Sequence, residues 1–202
     1  MQNFTPGELS ERENYKFLIG SIIPRPIALI TTLNEDGTIN IAPFSYFNIV
    51  SSNPPMVSVA IQRNGGIIKD TARNLKRTGE AVIHIVDRKN YLNANQTAAS
   101  LEYGDSELLK TTFSLTDSVS VATPALNESQ VRFEVKVNQT IEIENNGATT
   151  ADLVLFNIER YHISSEIYED GRIDPRGLDA MSRLAGHDYG DIGEITTVPR
   201  PE

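Results

Sequence analysis

From Val131 to Glu144 the chain alternates in the run VRFEVKVNQTIEIE. Val131, Phe133, Val135, Val137, Ile141 and Ile143 share one parity, and Arg132, Glu134, Lys136, Glu142 and Glu144 take the other. A period of two over this length predicts a long strand of a curved antiparallel sheet, one face in and one face out. NNGA then turns the chain, and DLVLFNIERYHI returns as a more fully buried strand.

Earlier in the chain, Ile27 to Thr32 is apolar and β-branched and reads as a strand. Asp36 and Gly37 tolerate the positive φ angles of a tight hairpin turn. The return runs from Ile39 to about Ala42, where Pro43 is expected to end or bulge it because proline cannot donate to a ladder. MVSVAIQ and EAVIHIV are further strands. Between them, IIKDTARNLKRTGE predicts a two-turn helix with Asp70 or Thr71 as N-cap and Gly79 as its stop. Residues 87–112 lack alternation and are expected to hold one or two helices. Strands outnumber helices and hairpin turns separate them, so the fold is mainly β, an antiparallel barrel, closed or partly open, with peripheral helices. With no repeat or linker, residues 1–202 read as a single domain, with a C-terminal tail from about residue 170.

Composition narrows the function. The 202 residues carry a formal charge of -9, which argues against nucleic acid as a partner. IALI and LVLF are far too short to cross a bilayer, so no membrane association is expected. The polar, acidic N-terminus does not resemble a targeting segment, and the expected location is cytoplasmic. There is no cysteine, so redox chemistry requires a bound cofactor. Between Arg63 and Glu80, five basic residues (Arg63, Lys69, Arg73, Lys76, Arg77) stand against two acids (Asp70, Glu80). A small anion is the natural guest for that island. The acidic stretch SLEYGDSELL reads as a solvated face rather than a docking site for a redox partner.

Several devices are missing. No G-x-G-x-x-G follows a strand, and no P-loop, H-E-x-x-H or G-x-S-x-G occurs. His84, His162 and His187 lie far apart in the sequence; no metal site is expected, and His84 and His162 read as structural. Two stretches carry candidate chemistry. NIAPFSYFNIVSS offers backbone groups around Pro43 with hydroxyls at Ser45 and Ser51 and an amide at Asn48. KDTARN offers Lys69, Thr71, Asn74 and a helix N-terminus, the elements of a phosphate cradle. The alternative is that Pro43 only ends an edge strand and the helix is merely well capped.

PRPIALITT, NIAPFSYFN, SSNPPMVSVAI and KDTARN, in that order, resemble the flavin reductase-like family of FMN-binding split-barrel proteins, in particular its flavoredoxin and monooxygenase-reductase branch. RLAGHDYGDIGEI is similar to the family's closing segment, with Ala185 where a second glycine is usual. The resemblance implies a Greek-key split β-barrel that binds FMN as a homodimer. It sets the isoalloxazine against Arg25, Pro26, Thr31 and the backbone from Ala42 and Pro43 to Phe47. Ser45, Asn48 and Ser51 then face the flavin's polar edge and ribityl chain, and Lys69, Thr71 and Asn74 face the phosphate. Each has a quieter reading; Arg25 as a salt-bridge partner and Phe47 as core are examples. Arg183, His187 and Tyr189 either line the open flavin face on the substrate side or pin the tail. The implied activity is an NAD(P)H-dependent flavin reductase, with NADH or NADPH as co-substrate and an electron-accepting partner such as a monooxygenase. An FMN electron carrier without nicotinamide turnover is the alternative. No catalytic side chain is named, because the flavin carries the chemistry.

Overall fold

The computed structural model describes residues 1–99, 101 and 104–201, so part of SLEYGDSELL (Ser100, Glu102 and Tyr103) lies outside the described residues. Seven strands form the main sheet: β1 (Ala28–Leu33), β2 (Ile39–Phe44), β3 (Phe47–Ser52), β4 (Pro55–Gln62), β5 (Glu80–Ile85), β6 (Val131–Asn145) and β7 (Ala148–Ile163). They lie in the order β2-β1-β5-β6-β7-β4-β3, and every neighbouring pair is antiparallel.

The two edges of that order, β2 and β3, are consecutive in the chain and separated only by Ser45 and Tyr46. Three Cα steps span at most about 11 Å. A flat seven-stranded sheet is about 29 Å across. The sheet therefore has to curl until its edges meet at Phe44–Phe47. The Ala60 amide donates to the Tyr46 carbonyl at 2.9 Å, carrying the β4 pairing into the link. The barrel interior draws Ile30, Phe44, Val59, Ile83, Val135 and Phe156 from six of the strands, and Phe47 of β3 packs against them. Helix α2 (Asp70–Thr78) contributes Ala72 and Leu75 to the same cluster. The split-barrel fold expected from the sequence is the one observed.

Pro43 neither ends nor bulges β2. It stays in register opposite Leu29, and the strand runs on to Phe44. The Ile41 amide donates away from β1, to a Glu107 carboxylate oxygen at 2.8 Å. Residues 39, 41 and 43 thus turn their backbone groups to the open edge, where a missing N–H costs no ladder bond.

Two helix boundaries also differ from expectation. Lys69, not Asp70 or Thr71, is the N-cap of α2, and its side chain makes no capping bond. Asp70 instead pairs with Arg73 at 2.7 Å, and Thr71 is buried. Gly79 does stop the helix, at φ 72°. An N-terminal helix, α1 (Glu11–Ser21), was not anticipated, yet Ser10 and Glu13 form a capping box whose spacing is visible in the sequence. The 87–112 region holds α3 (Tyr91–Gln96) and a 3-10 turn, Glu107–Lys110.

The alternation of β6 holds along the barrel and fails beyond it. Ile141 and Ile143 are exposed on the projecting hairpin, while Glu134 is wholly buried on the outer face. The outer face explains this. Segment 119–126 lies across β5 and β6, and three side chains receive its amides. Glu80 accepts from Ala122 (2.7 Å) and Thr123 (3.1 Å), Glu134 from Val119 (2.9 Å) and Ser120, and His84 Nε2 from Leu126 (2.9 Å). Since Nε2 accepts, Nδ1 carries the proton and donates to the Leu29 carbonyl at 3.0 Å. His84 is structural, as expected. Burial raises the Glu134 carboxyl, but the two amides and His162, 2.5 Å away, outweigh it and leave the group below its usual range. At the other end, Ser182–Arg183 pairs with both Arg25–Pro26 and Tyr189–Gly190, stitching the closing segment to the barrel.

Burial lowers the His84 pKa from 6.5 to about 3. Between those values the unfolded chain binds the extra proton, so this stabilisation is complete above about pH 6.5 and is lost as pH falls toward 3. His84→Gln keeps one donor and one acceptor without the titration. It is expected to lie within about 1 kcal/mol of wild type at neutral pH and to show a shallower fall of the urea midpoint between about pH 6 and pH 4. An unchanged slope would assign the acid sensitivity elsewhere.

Candidate functional site

Against the seam where β2 meets β3 lies a cleft of two adjoining lobes, about 370 and 390 Å³, which share Pro43, Phe44, Lys69 and Ala98 as walls. The first lobe opens onto the start of α2, with Asn40, Ala42, Thr71 and Glu107. The second runs past Ser45 and Tyr46 to Arg25, Arg183 and Gly186.

The α2 end suits an anion. The helix starts without a side-chain cap, so no capping oxygen competes for its first-turn amides. Lys69 stands at that start with its ammonium 5.8 Å from the Phe44 ring centre and, among the described residues, in no ion pair. Beneath the helix a buried polar lattice fixes its position. Asn40 donates to Thr71 (2.9 Å) and Thr32 (3.1 Å), and Asn74 donates to Thr32 (3.1 Å) and Asn34 (2.8 Å). Glu107 closes this lobe; burial pushes its carboxyl up, opposed by the Ile41 amide.

The basic island of the sequence is largely neutralised in three dimensions. Arg63 donates to both oxygens of buried Asp152 at 2.8 Å, and its NH2 lies 3.6 Å from Glu142. Lys76 reaches Glu142 at 2.6 Å and Asp152 at 3.3 Å. Arg73 pairs with Asp70, and Arg77 donates to the Leu33 carbonyl. Two of the five cations, Arg63 and Lys76, therefore hold the β6–β7 hairpin, and Lys69 is the member of the island that lines the cleft.

At the opposite lobe Arg25 is buried and, among the described residues, has no salt-bridge partner. Its guanidinium donates to Ile19 O (2.8 Å), Ile22 O (2.7 Å) and Leu184 O (2.9 Å), with a long contact to Ser45 Oγ (3.5 Å). It fastens the end of α1 and the closing segment to the cleft wall. Arg183 stacks 4.7 Å from the Tyr189 ring centre and donates to Gly186 O and Asp188 O, which fixes it at the lip.

Of the residues singled out from sequence, Arg25, Ala42, Pro43, Ser45, Lys69, Thr71 and Arg183 line the cleft. The others are not brought there. Thr31 is on the outer barrel face, donating to Pro124 O at 2.8 Å, and Asn74 is spent in the lattice under α2. Phe47 packs on the barrel core. Asn48 and Ser51 sit on the outer strand β3, their side-chain oxygens accepting from the Ile49 and Asn53 amides. Pro26 is exposed on its short strand. Tyr189 donates to Asn95 at 3.0 Å and packs on Tyr91, pinning the tail, and His187 is exposed on the turn before it.

Sequence reasoning missed Tyr15, Asn40, Gln62 and Glu107, and passed over Tyr46 inside its own motif. Tyr15 belongs to the unanticipated α1. Glu107 looks in sequence like any surface acid and becomes a wall residue only because its 3-10 turn packs on the β2 edge. Among the described residues no three metal-ligating side chains converge.

Comparison with known proteins agrees with this architecture. Residues 19–177 match the flavin reductase like domain. An uncharacterized protein of Bacillus subtilis, YwrF, is 43% identical over the full length of both chains. The crystal structure of nitrilotriacetate monooxygenase component B from Bacillus cereus superimposes with a TM-score of 0.96 at 40% identity, covering 98% of each chain. That of the 2-nitrobenzoate 2-nitroreductase NbaA from Pseudomonas fluorescens gives 0.89 at 24% identity, over 99% of this chain and 96% of that one, a likeness of fold. With the domain match spanning most of the barrel and the seam, the chain belongs to the flavin reductase-like family.

Proposed function

We propose that the protein is a cytoplasmic flavin oxidoreductase that seats FMN in the seam cleft and oxidises NADH or NADPH. The observation that carries this reading is the uncapped start of α2 with Lys69 beside it, at one end of a cleft walled by the open edge of β2. The residues present fit a flavin monophosphate: amides and a lysine for the phosphate, and a backbone edge with Ser45 for a flat polar ring.

Bound FMN would supply the hydride-accepting ring, and the chain supplies placement and charge. Lys69, Thr71 and the first-turn amides of α2 hold the phosphate end. Pro43 keeps the edge flat and free of a ladder partner, and Ser45 offers its hydroxyl to the ring's polar rim. Arg183, braced by its own turn, stands at the lip on the side from which a nicotinamide nucleotide approaches. No side-chain acid or base is assigned to the transfer. The likeness to a monooxygenase component supports delivery of the electrons to a partner enzyme. As a second copy's contact we assign the apolar side chains left outside the fold: Phe17, Leu18, Ile22 and Ile23 on and after α1, and Ile49 and Val50 on β3.

Two outcomes are expected. Lys69→Met should weaken FMN about 10- to 100-fold, the worth of one charge-assisted bond, while riboflavin, which lacks the phosphate, binds as to wild type. Equal losses for both ligands would remove Lys69 from the phosphate. In sedimentation velocity the wild-type chain should run as a dimer, and Ile49→Glu should shift it toward monomer; a monomeric wild type would refute the assembly.

A further inference from the structure

Arg25 is only 6% exposed, and every partner it has among the described residues is a neutral oxygen. Burying a charge is costly even after relaxation, and a counter-charge normally offsets it. Among the described residues the compensation comes from the Leu184 carbonyl and from the carbonyl end of α1, through Ile19 and Ile22, which carries the equivalent of about half a negative charge. A remainder of positive charge is left facing the cleft.

The surroundings reinforce it. Among the described residues the lobe beside Arg25 is lined by three cations, Arg25, Lys69 and Arg183, and by no aspartate or glutamate, in a chain whose net charge is -9. The phenols there belong to Tyr15 and Tyr46; burial pushes the Tyr46 hydroxyl up, so it stays neutral. The acids, Asp70 and Glu107, line the α2 lobe instead. The cleft is thus polarised along its length, with its most buried cation at the Arg25 end.

A hydride brings two electrons and one proton, so its uptake by a neutral flavin leaves one negative charge on the ring system. We propose that Arg25 is the electrostatic positioning residue for that charge: it favours the negatively charged, two-electron-reduced flavin over the neutral oxidised one. This rests on the flavin reading given above. The same guanidinium also ties the end of α1 to Leu184 of the closing segment.

The test is an anaerobic spectroelectrochemical titration of FMN-loaded wild type, Arg25→Lys and Arg25→Met. Methionine removes the charge; lysine keeps it and loses the three-way fork. Arg25→Met is expected to lower the affinity ratio of reduced over oxidised flavin at least tenfold, about 30 mV for a two-electron couple, with Arg25→Lys within about threefold of wild type. An unchanged potential in the methionine variant overturns the proposal, as does an equal fall in both variants, the mark of a purely structural latch. Should the methionine variant not fold, wild type decides alone. The pH at which its potential changes from one to two protons per two electrons is expected below that of free FMN, and a coincident break overturns the proposal. A wild-type chain that takes up no FMN defeats the flavin reading itself, an outcome distinct from a loaded chain with an unshifted potential.

Discussion

Everything in this molecule depends on two residues having to join the two edges of a seven-stranded sheet. Ser45 and Tyr46 allow about 11 Å between Phe44 and Phe47, so β2 and β3 must meet and the sheet must close. Closure leaves a seam where backbone groups of β2 lack a ladder partner, and proline at position 43 is compatible with that edge because its missing donor points outward. The candidate site is the consequence: a cleft lies along the seam because the barrel has to be closed there.

The remaining elements set the chemistry of that cleft. Buried amide and hydroxyl side chains under α2 fix the helix start at one end, and Arg25 fixes α1 and the closing segment at the other. Segment 119–126, held by Glu80, His84 and Glu134, covers the outer face of β5 and β6 and leaves the seam side open. The charges sort accordingly. Acids serve the outer cover, the projecting hairpin and the α2 lobe, and a chain with a large negative charge presents cations at the Arg25 lobe.

Much of this was legible beforehand, for identifiable reasons. Strand alternation in VRFEVKVNQTIEIE and the hairpin at Asp36-Gly37 are local signals, and they marked the strands correctly. The seam motif NIAPFSYFN and KDTARN pointed to the cleft because chain order brings both to its walls. What failed was long-range. The basic island could not reveal that Arg63 and Lys76 face Asp152 and Glu142 across the sheet, nor could Glu134 reveal the loop whose amides it receives. Thr31 and Asn74 share motifs with cleft residues but point away from it, a matter of strand and helix parity in the packed fold. Helix α1 was overlooked although its capping box, Ser10 to Glu13, is a local signal.

The central claim is that the seam cleft holds a flavin and passes electrons to it from a nicotinamide. The direct measurement is the visible spectrum of the purified chain with equimolar FMN, taken anaerobically before and after NADH or NADPH. Flavin bands perturbed by binding are expected, bleaching promptly with one of the two nucleotides. Bands that persist with both yet bleach with dithionite would leave the flavin seat standing and contradict the nicotinamide step; bands identical to those of free FMN, with no protein-bound fraction after gel filtration, would contradict the seat itself.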